Sequence, residues 1–168
     1  VNTTGQYNVA IGYGALDANT TGSNNVAYGY LALSANTTQS SCTALGYEAL
    51  KVNTGSNNTA AGYQSMTANT TGTQNAAFGN ASLDANTTGN YNTAIGWGAL
   101  STNNADNNTA VGQVALLDNT TGANNAAFGR NSLTNNTTGS QNTALGTNAM
   151  SANTTGTSNT AVGYMALD

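Results

Sequence analysis

The sequence predicts an all-β fold, a parallel β-solenoid of ten coils with about 17 residues in each coil. Three observations support this prediction: a motif recurs at nearly constant spacing, its apolar segments are only a few residues long, and its polar turns lack hairpin signals. The repeat extends over residues 1–168, which we expect to form a single solenoid domain, either complete or an excerpt of a longer array.

Each repeat contains a glycine that directly follows an apolar residue, and we call it the anchor glycine. The residue two positions before the anchor is always Ala, and the residue four positions after it is Leu or Met. Successive anchors are 16 or 17 residues apart, at Gly12, Gly29, Gly46, Gly62, Gly79, Gly96, Gly112, Gly129, Gly146 and Gly163. The aromatic residues Tyr28, Phe78 and Phe128 add a weaker period of three repeats, which fits either duplication of a three-repeat block or three repeats per structural turn.

The segment before each anchor has the features of a short buried strand. Thr93, Ala94 and Ile95 combine β-branched and apolar residues, as strands do. Frequent Gly and Asn-Thr-Thr clusters interrupt any helical periodicity, and the absence of Asn-Gly and Asp-Gly pairs removes the strongest signal for a two-residue hairpin. Strands that repeat without hairpins are therefore predicted to pair in parallel, one repeat per coil.

Alternation along the strand places the repeated Ala on the inner face, where a coil of 17 residues leaves little room for larger side chains. Together with the Leu that follows the anchor, it is predicted to form the coil core. These core residues are Ala10, Ala27, Ala44, Ala60, Ala77, Ala94, Ala110, Ala127, Ala144, Ala161, Leu16, Leu33, Leu50, Leu83, Leu100, Leu116, Leu133 and Leu167.

Stacked coils place identical residues above one another, which explains why only 5% of the residues are charged. Stacked like charges would repel, whereas Asn side chains can hydrogen-bond along the stack as a ladder. The first Asn of each turn is predicted to form such a ladder, at Asn2, Asn19, Asn36, Asn53, Asn69, Asn86, Asn103, Asn119, Asn136 and Asn153.

The residues just before the anchors are predicted to form an apolar stripe on the outer face. A stripe of this length on a monomer is typical of an association surface, so we expect homo-oligomers, most simply a trimer of parallel rods. If a second copy followed the C-terminus directly, the spacing from Gly163 to its Gly12 would be 17 residues, the usual length of the repeat. This match favours head-to-tail stacking. The candidate subunit interface consists of Ile11, Tyr28, Leu45, Phe78, Ile95, Val111, Phe128, Leu145 and Val162.

The composition excludes several classes of function. Two basic residues and a net charge of −4 argue against nucleic-acid binding and against a polybasic membrane anchor. No apolar run is long enough for membrane insertion. The chain has no His and one Cys, Cys42, which argues against His-based catalysis and against metal sites of His or thiolates. We therefore predict no enzymatic activity, catalytic residue, metal site or cofactor, and regard Cys42 as a replacement of the Asn found there in the other repeats.

Two further features carry alternative interpretations. The residue after the anchor is often aromatic, which suits stacking on sugars but suits packing between coils better. The Asn-Thr-Thr tripeptides match the acceptor pattern for N-glycosylation, although Asn and Thr ladders explain them without modification. These possible glycosylation sites are Asn2, Asn19, Asn36, Asn69, Asn86, Asn119, Asn136 and Asn153.

Repeats such as Asn-Thr-Ala-Ile-Gly-Trp-Gly-Ala-Leu at residues 92–100 resemble the head repeats of trimeric autotransporter adhesins. With their Asn-Thr-Thr-Gly turns they resemble even more closely repeats of bacterial surface proteins and phage tail fibres. The resemblance covers the whole chain, although this repeat is longer than that of the adhesin heads. It implies a left-handed, usually trimeric β-roll in an extracellular fibre.

The combined prediction is a non-enzymatic structural protein, located outside the cell, on the cell surface or in a virion fibre, whose coils build a fibre. Its expected partner is the chain itself. The alternative function is an adhesin head or tail-fibre shaft that binds a host surface glycan or protein. A third interpretation, an ice-binding solenoid, follows from the regular Thr residues.

Overall fold

The computed structural model describes all residues from Val1 to Asp168 as a continuous stack of coils, each with one three-residue strand. The chain contains no helix, and therefore none long and apolar enough to cross a membrane. In chain order the strands β1 to β10 are Val9–Ile11, Val26–Tyr28, Thr43–Leu45, Thr59–Ala61, Ala76–Phe78, Thr93–Ile95, Thr109–Val111, Ala126–Phe128, Thr143–Leu145 and Thr160–Val162.

The ten strands form one parallel sheet in which each strand pairs only with its neighbours along the chain. The register is constant, so Ala94 of β6 pairs with Ala77 of β5 and with Ala110 of β7. The prediction of a parallel β-solenoid with one repeat per coil is thereby confirmed, and three repeats per structural turn is wrong. At ~4.8 Å between neighbouring strands, the stack is a rod about 50 Å long.

Cohesion between coils extends around the whole coil rather than along the strands alone. Of 103 backbone hydrogen bonds, only 18 lie within the strand ladder, and most of the other 85 join a turn to the turn of the next coil. Thr hydroxyls add to these bonds, as where Thr70 Oγ1 donates to the carbonyl of Thr87 at 2.8 Å. Each coil is therefore held by its two neighbours at many points, as expected of a solenoid.

The interior is filled by three stacked columns of side chains. The Ala in the middle of each strand and the Leu or Met after the anchor are fully buried in the central coils. A third column, which the sequence analysis did not include, lies directly before the Leu or Met and contains only Ala and Ser, for example Ala99 and Ser82. Met66 and Met150 take the place of Leu in two coils and are equally buried.

Two of the predicted core residues are exposed, and for these the prediction is wrong. Ala10 belongs to β1, all of whose residues are exposed, and Leu167 in the last coil is 63% exposed. Both residues lie in columns that are buried elsewhere, but each faces an end of the stack on which no further coil packs. Ala161, in the last strand, is by contrast buried and only 4% exposed, because the preceding coil covers it.

The chain turns through residues in the left-handed region of backbone conformation. In every coil the core Leu or Met has a φ of 51° to 54°, as at Leu100 and Met150. A bulky residue rarely adopts this conformation, and its repetition at the same place shows that burial of the side chain outweighs the local backbone strain. The Leu side chain therefore reaches the core because the backbone bends sharply at that residue.

The predicted Asn ladder is present and buried. In each coil the first Asn of the turn donates Nδ2 to the carbonyl of a residue two or three positions later. Where the ladder is continuous, the same Nδ2 donates to Oδ1 of the Asn in the preceding coil, as from Asn86 to Asn69 at 2.7 Å. These bonds satisfy amide groups that would otherwise be costly to bury.

A second Asn ladder lies directly before the strands, and the sequence analysis did not identify it. Here Oδ1 of each Asn accepts the backbone N–H of the equivalent residue in the next coil, as Asn75 does from Asn92 at 2.9 Å. Its Nδ2 donates to a turn carbonyl of that next coil, as from Asn75 to Gly89 at 2.8 Å. This column therefore bonds each coil to the following one through both backbone and side chain.

The first ladder is interrupted twice, at places 50 residues apart. The turns that begin at Asn53 and Asn103 are one residue shorter than the others, and neither Asn donates to the Asn below it. Oδ1 of Asn36 and Oδ1 of Asn86 are consequently buried without a hydrogen-bond partner. The two shortened turns are thus three coils apart, whereas the turns that begin at Asn2 and Asn153 have the full length.

Candidate functional site

The outer face of the sheet carries a continuous column of apolar side chains, formed by the last residue of each strand, and we call it the outer apolar column. It includes every residue of the candidate interface, together with Ala61. Eight of its members are at least 40% exposed: Ile11, Tyr28, Leu45, Phe78, Ile95, Phe128, Leu145 and Val162. Val111 and Ala61 are half-buried.

The first residue of each strand shares this outer face, because side chains two positions apart along a strand point the same way. We call these residues the strand-start column. Six of the ten are Thr, and β1, β2, β5 and β8 begin with Val9, Val26, Ala76 and Ala126. Strands β2, β5 and β8 end in an aromatic residue, so every third coil combines an aromatic ring with an apolar strand-start residue, which is Ala in β5 and β8 and Val in β2.

A ladder of stacked tyrosines flanks the anchors in the first four coils. The ring centroids of Tyr13 and Tyr30 are 5.5 Å apart, and those of Tyr30, Tyr47 and Tyr63 follow at 5.2 Å, with interplanar angles of 9° to 13°. Each inner ring is covered on both faces by its neighbours. Packing between coils is therefore the observed role of these tyrosines, and the inner rings have no free face on which a sugar could stack.

The one ion pair of the chain lies beside this ladder. Lys51 Nζ donates to Glu48 Oε1 at 2.8 Å, and Gln64 Nε2 donates to Glu48 Oε2 at 3.0 Å. The hydrogen bond from Lys51 is the main cause that holds the pKa of Glu48 below its usual value, and the bond from Gln64 adds to it. The same bond to Glu48 raises the pKa of Lys51. The charge of Glu48 is also the main cause of the raised pKa of Tyr47.

The structure contradicts most of the possible glycosylation sites. Six of the eight asparagines are buried with Nδ2 in ladder hydrogen bonds, namely Asn19, Asn36, Asn69, Asn86, Asn119 and Asn136. A glycan on this nitrogen would replace one of its hydrogens and could not fit between the coils. Only Asn2 and Asn153, in the first and last turns, are exposed or half-buried.

Cys42 replaces the Asn of the second ladder in the third coil, and it is buried and free. Its Sγ is 3.3 Å from the carbonyl oxygen of Gly55, and burial is the main cause that raises the pKa of the thiol. Because the thiolate is the reactive form, this environment suits an inert structural residue.

We expect Cys42 to react with a thiol reagent on the order of 100-fold more slowly in the folded chain than in the unfolded chain at the same pH, because reaction then requires local opening. The measurement is the labelling rate with and without denaturant. Thr38→Cys in a Cys42→Ser background is the exposed control and should react rapidly in both states. Equal rates for folded and unfolded Cys42 would contradict the buried placement.

No pocket is found on the surface, and no cluster of three or more His, Cys, Asp or Glu side chains has the arrangement of a metal site. The extended outer face, rather than a cleft, is therefore the candidate functional surface. Comparison of the chain with protein-family models, with curated proteins and with solved structures found no match.

Proposed function

We propose that this chain is a non-enzymatic structural protein whose stacked coils form the shaft of an extracellular, cell-surface or virion fibre. The observation that carries the proposal is the uniformity of the stack. Each coil joins the next through an in-register strand, through turn hydrogen bonds and through Asn ladders. A rod built in this way can be extended along its axis without a change of interface.

The end of the stack supports continuation of the shaft, either by further coils of the same polypeptide or by a second copy. Leu167 belongs to a column whose inner members are fully buried, and its 63% exposure marks the surface on which the next Leu would pack. Lateral contacts through the outer apolar column would join rods side by side. The partner in both kinds of contact is the same chain.

Electron microscopy and solution mass of the purified 168-residue chain test this proposal, with two variants of the last coil. We expect wild-type protein to form long filaments of uniform width. Leu167→Lys, which places a charge on the exposed end of the core, should give only short rods. Asn80→Lys, which places the same charge on an exposed residue in a central coil away from both ends of the stack, is the matched control and should still form filaments.

Short discrete rods from the wild-type chain at all concentrations would contradict head-to-tail stacking. Filaments that are insensitive to Leu167→Lys would show that they do not grow through the core column.

A second candidate function is favoured by the exposed apolar and tyrosine side chains along the shaft. An adhesin head or tail-fibre shaft would present the outer apolar column and the tyrosine edges to a host surface, whether glycan or protein. Binding of the isolated chain to host cells, retained in Leu167→Lys and lost in Phe78→Asp, would favour this function. Binding that is equally strong in both variants would exclude the outer apolar column as the receptor site.

A further inference from the structure

We propose that two copies of this chain pack through their outer faces as a parallel pair, with Tyr28, Phe78 and Phe128 seated over Val26, Ala76 and Ala126 of the partner. The inference rests on the proposed function only in using the outer face as the contact between copies. It specifies how many rods associate, in which orientation and in which axial register.

The exposed area is sufficient for a stable pair. Aromatic side chains have roughly 150–250 Å² of surface, and aliphatic ones somewhat less. Eight side chains of the outer apolar column at the observed exposures of 40% to 66% therefore offer on the order of 700 Å² per rod. A standard protein interface takes roughly 800 Å² from each partner, and the strand-start column supplies further area.

The charge distribution permits this contact. Neither the outer apolar column nor the strand-start column contains an ionisable group other than the hydroxyl of Tyr28. The ion pair of Glu48 and Lys51 lies beyond the anchor glycines, outside the strands. Two such faces can therefore approach without burying an unpaired charge.

The alternation of large and small side chains across the outer face determines how the two rods are oriented relative to each other. Phe78 projects beside the small side chain of Ala76, two residues earlier on the same strand, and Phe128 is placed in the same way beside Ala126. A two-fold axis parallel to the rods reverses the strand direction across the interface while keeping the coils level. The outer apolar column of each copy then faces the partner's strand-start column, so that Phe78 lies over Ala76 of the other copy.

The three-coil period fixes the axial register. In the level arrangement the three aromatic residues face Val26, Ala76 and Ala126. Ile11 faces Val9, and the remaining apolar residues face the methyl groups of Thr side chains. A shift by one coil would place Phe78 over Thr59 or Thr93 instead of a small residue. A shift by three coils would restore the fit but would remove three of the ten coils from contact.

Exchange of the large and small residues tests the orientation. We would measure solution mass and dissociation constant by sedimentation equilibrium in the Leu167→Lys background, which should not form filaments. The four proteins compared are Leu167→Lys alone and the same protein with Phe78→Ala, with Ala76→Phe, or with both substitutions. We expect Leu167→Lys to form a two-chain complex, Phe78→Ala or Ala76→Phe to weaken its association at least ~10-fold, and the two together to restore it to within about threefold of Leu167→Lys alone. Recovery is specific to the proposed axis, because only that axis places residue 76 opposite residue 78.

Several outcomes would overturn the proposal: a monomer, a complex of three chains, or losses that add in the double variant. Thermal unfolding of each variant, compared with wild type, ensures that weaker association does not reflect loss of the fold. Leu167→Lys separates the two hypotheses, because it should abolish filaments and leave the lateral pair intact. A wild-type chain that forms pairs but no filaments would contradict head-to-tail growth alone. Wild-type filaments together with a monomeric Leu167→Lys variant would contradict this inference alone.

Discussion

Gly96→Ala should destabilise the rod by about 3–5 kcal/mol, the largest effect that we expect from a single methyl group. Gly96 has a φ of +133°, and a Cβ there would lie 2.5 Å from the carbonyl oxygen and 2.7 Å from the carbonyl carbon of Gly112 in the next coil. The substitution thus combines backbone strain of roughly 1–3 kcal/mol with overpacking that typically costs a further ~1–3 kcal/mol. The measurement is the free energy of unfolding in denaturant.

Gly163→Ala is the matched control for this prediction. Gly163 has nearly the same backbone conformation, with a φ of +131°, but no coil packs above it and the nearest atom to a Cβ is 3.8 Å away. It should therefore show only the strain of roughly 1–3 kcal/mol. Equal losses in the two variants would mean that the anchor glycines serve backbone conformation only, and not the close approach of coils.

Asn69→Asp should cost about 3–5 kcal/mol at neutral pH, as expected for a buried charge without a partner. Nδ2 of Asn69 donates to Asn53 Oδ1 at 2.7 Å and to the carbonyl of Gly72 at 3.0 Å. A carboxylate oxygen in place of Nδ2 would face the two acceptor oxygens of Asn53 and Gly72 and would be repelled by both. The side chain would have no room to turn away, because the residue is fully buried.

The loss in Asn69→Asp should depend on pH in a defined direction. Burial favours the protonated carboxyl, so its pKa in the folded variant lies above the value of about 3.9 in the unfolded chain. The variant should therefore be closest to wild type below about pH 4 and should lose relative stability as the pH rises through the raised pKa. Urea midpoints of variant and wild type between pH 4 and pH 7 measure this difference.

Asn80→Asp provides the control, because Asn80 is exposed on the surface. It should change stability by less than about 0.5 kcal/mol across the same pH range. If Asn69→Asp were no more destabilising than Asn80→Asp at neutral pH, the hydrogen-bonding role of the ladder would be contradicted.

The periodic features of the fold were accessible from the sequence. Ala94 and Leu100 could be placed in the core because they recur in every repeat at fixed distances from the anchor, and the first Asn ladder followed from stacking identical turns. The exposed column of Ile95 and its equivalents followed from alternation along the strand. These features depend only on the period and on side-chain direction.

Features that depend on local backbone geometry could not be predicted. Leu100 adopts a left-handed conformation that its residue type disfavours, because packing in the coil outweighs its intrinsic preference. Asn75 was not recognised as part of a second ladder, since its bonds run to the backbone of the next coil rather than to another Asn alone. The motif at Asn69 indicated glycosylation, although the same residue is buried in the ladder.

X-ray fibre diffraction from aligned filaments of the chain tests the central claim most directly. If the shaft consists of coils stacked along its axis, the strands run across the fibre, and the spacing of ~4.8 Å between strands must appear on the meridian. The three-coil spacing of Tyr28, Phe78 and Phe128 should add a weaker axial repeat about three times longer. A strand spacing on the equator would mean that the coils do not stack along the filament and would contradict the proposed structural function.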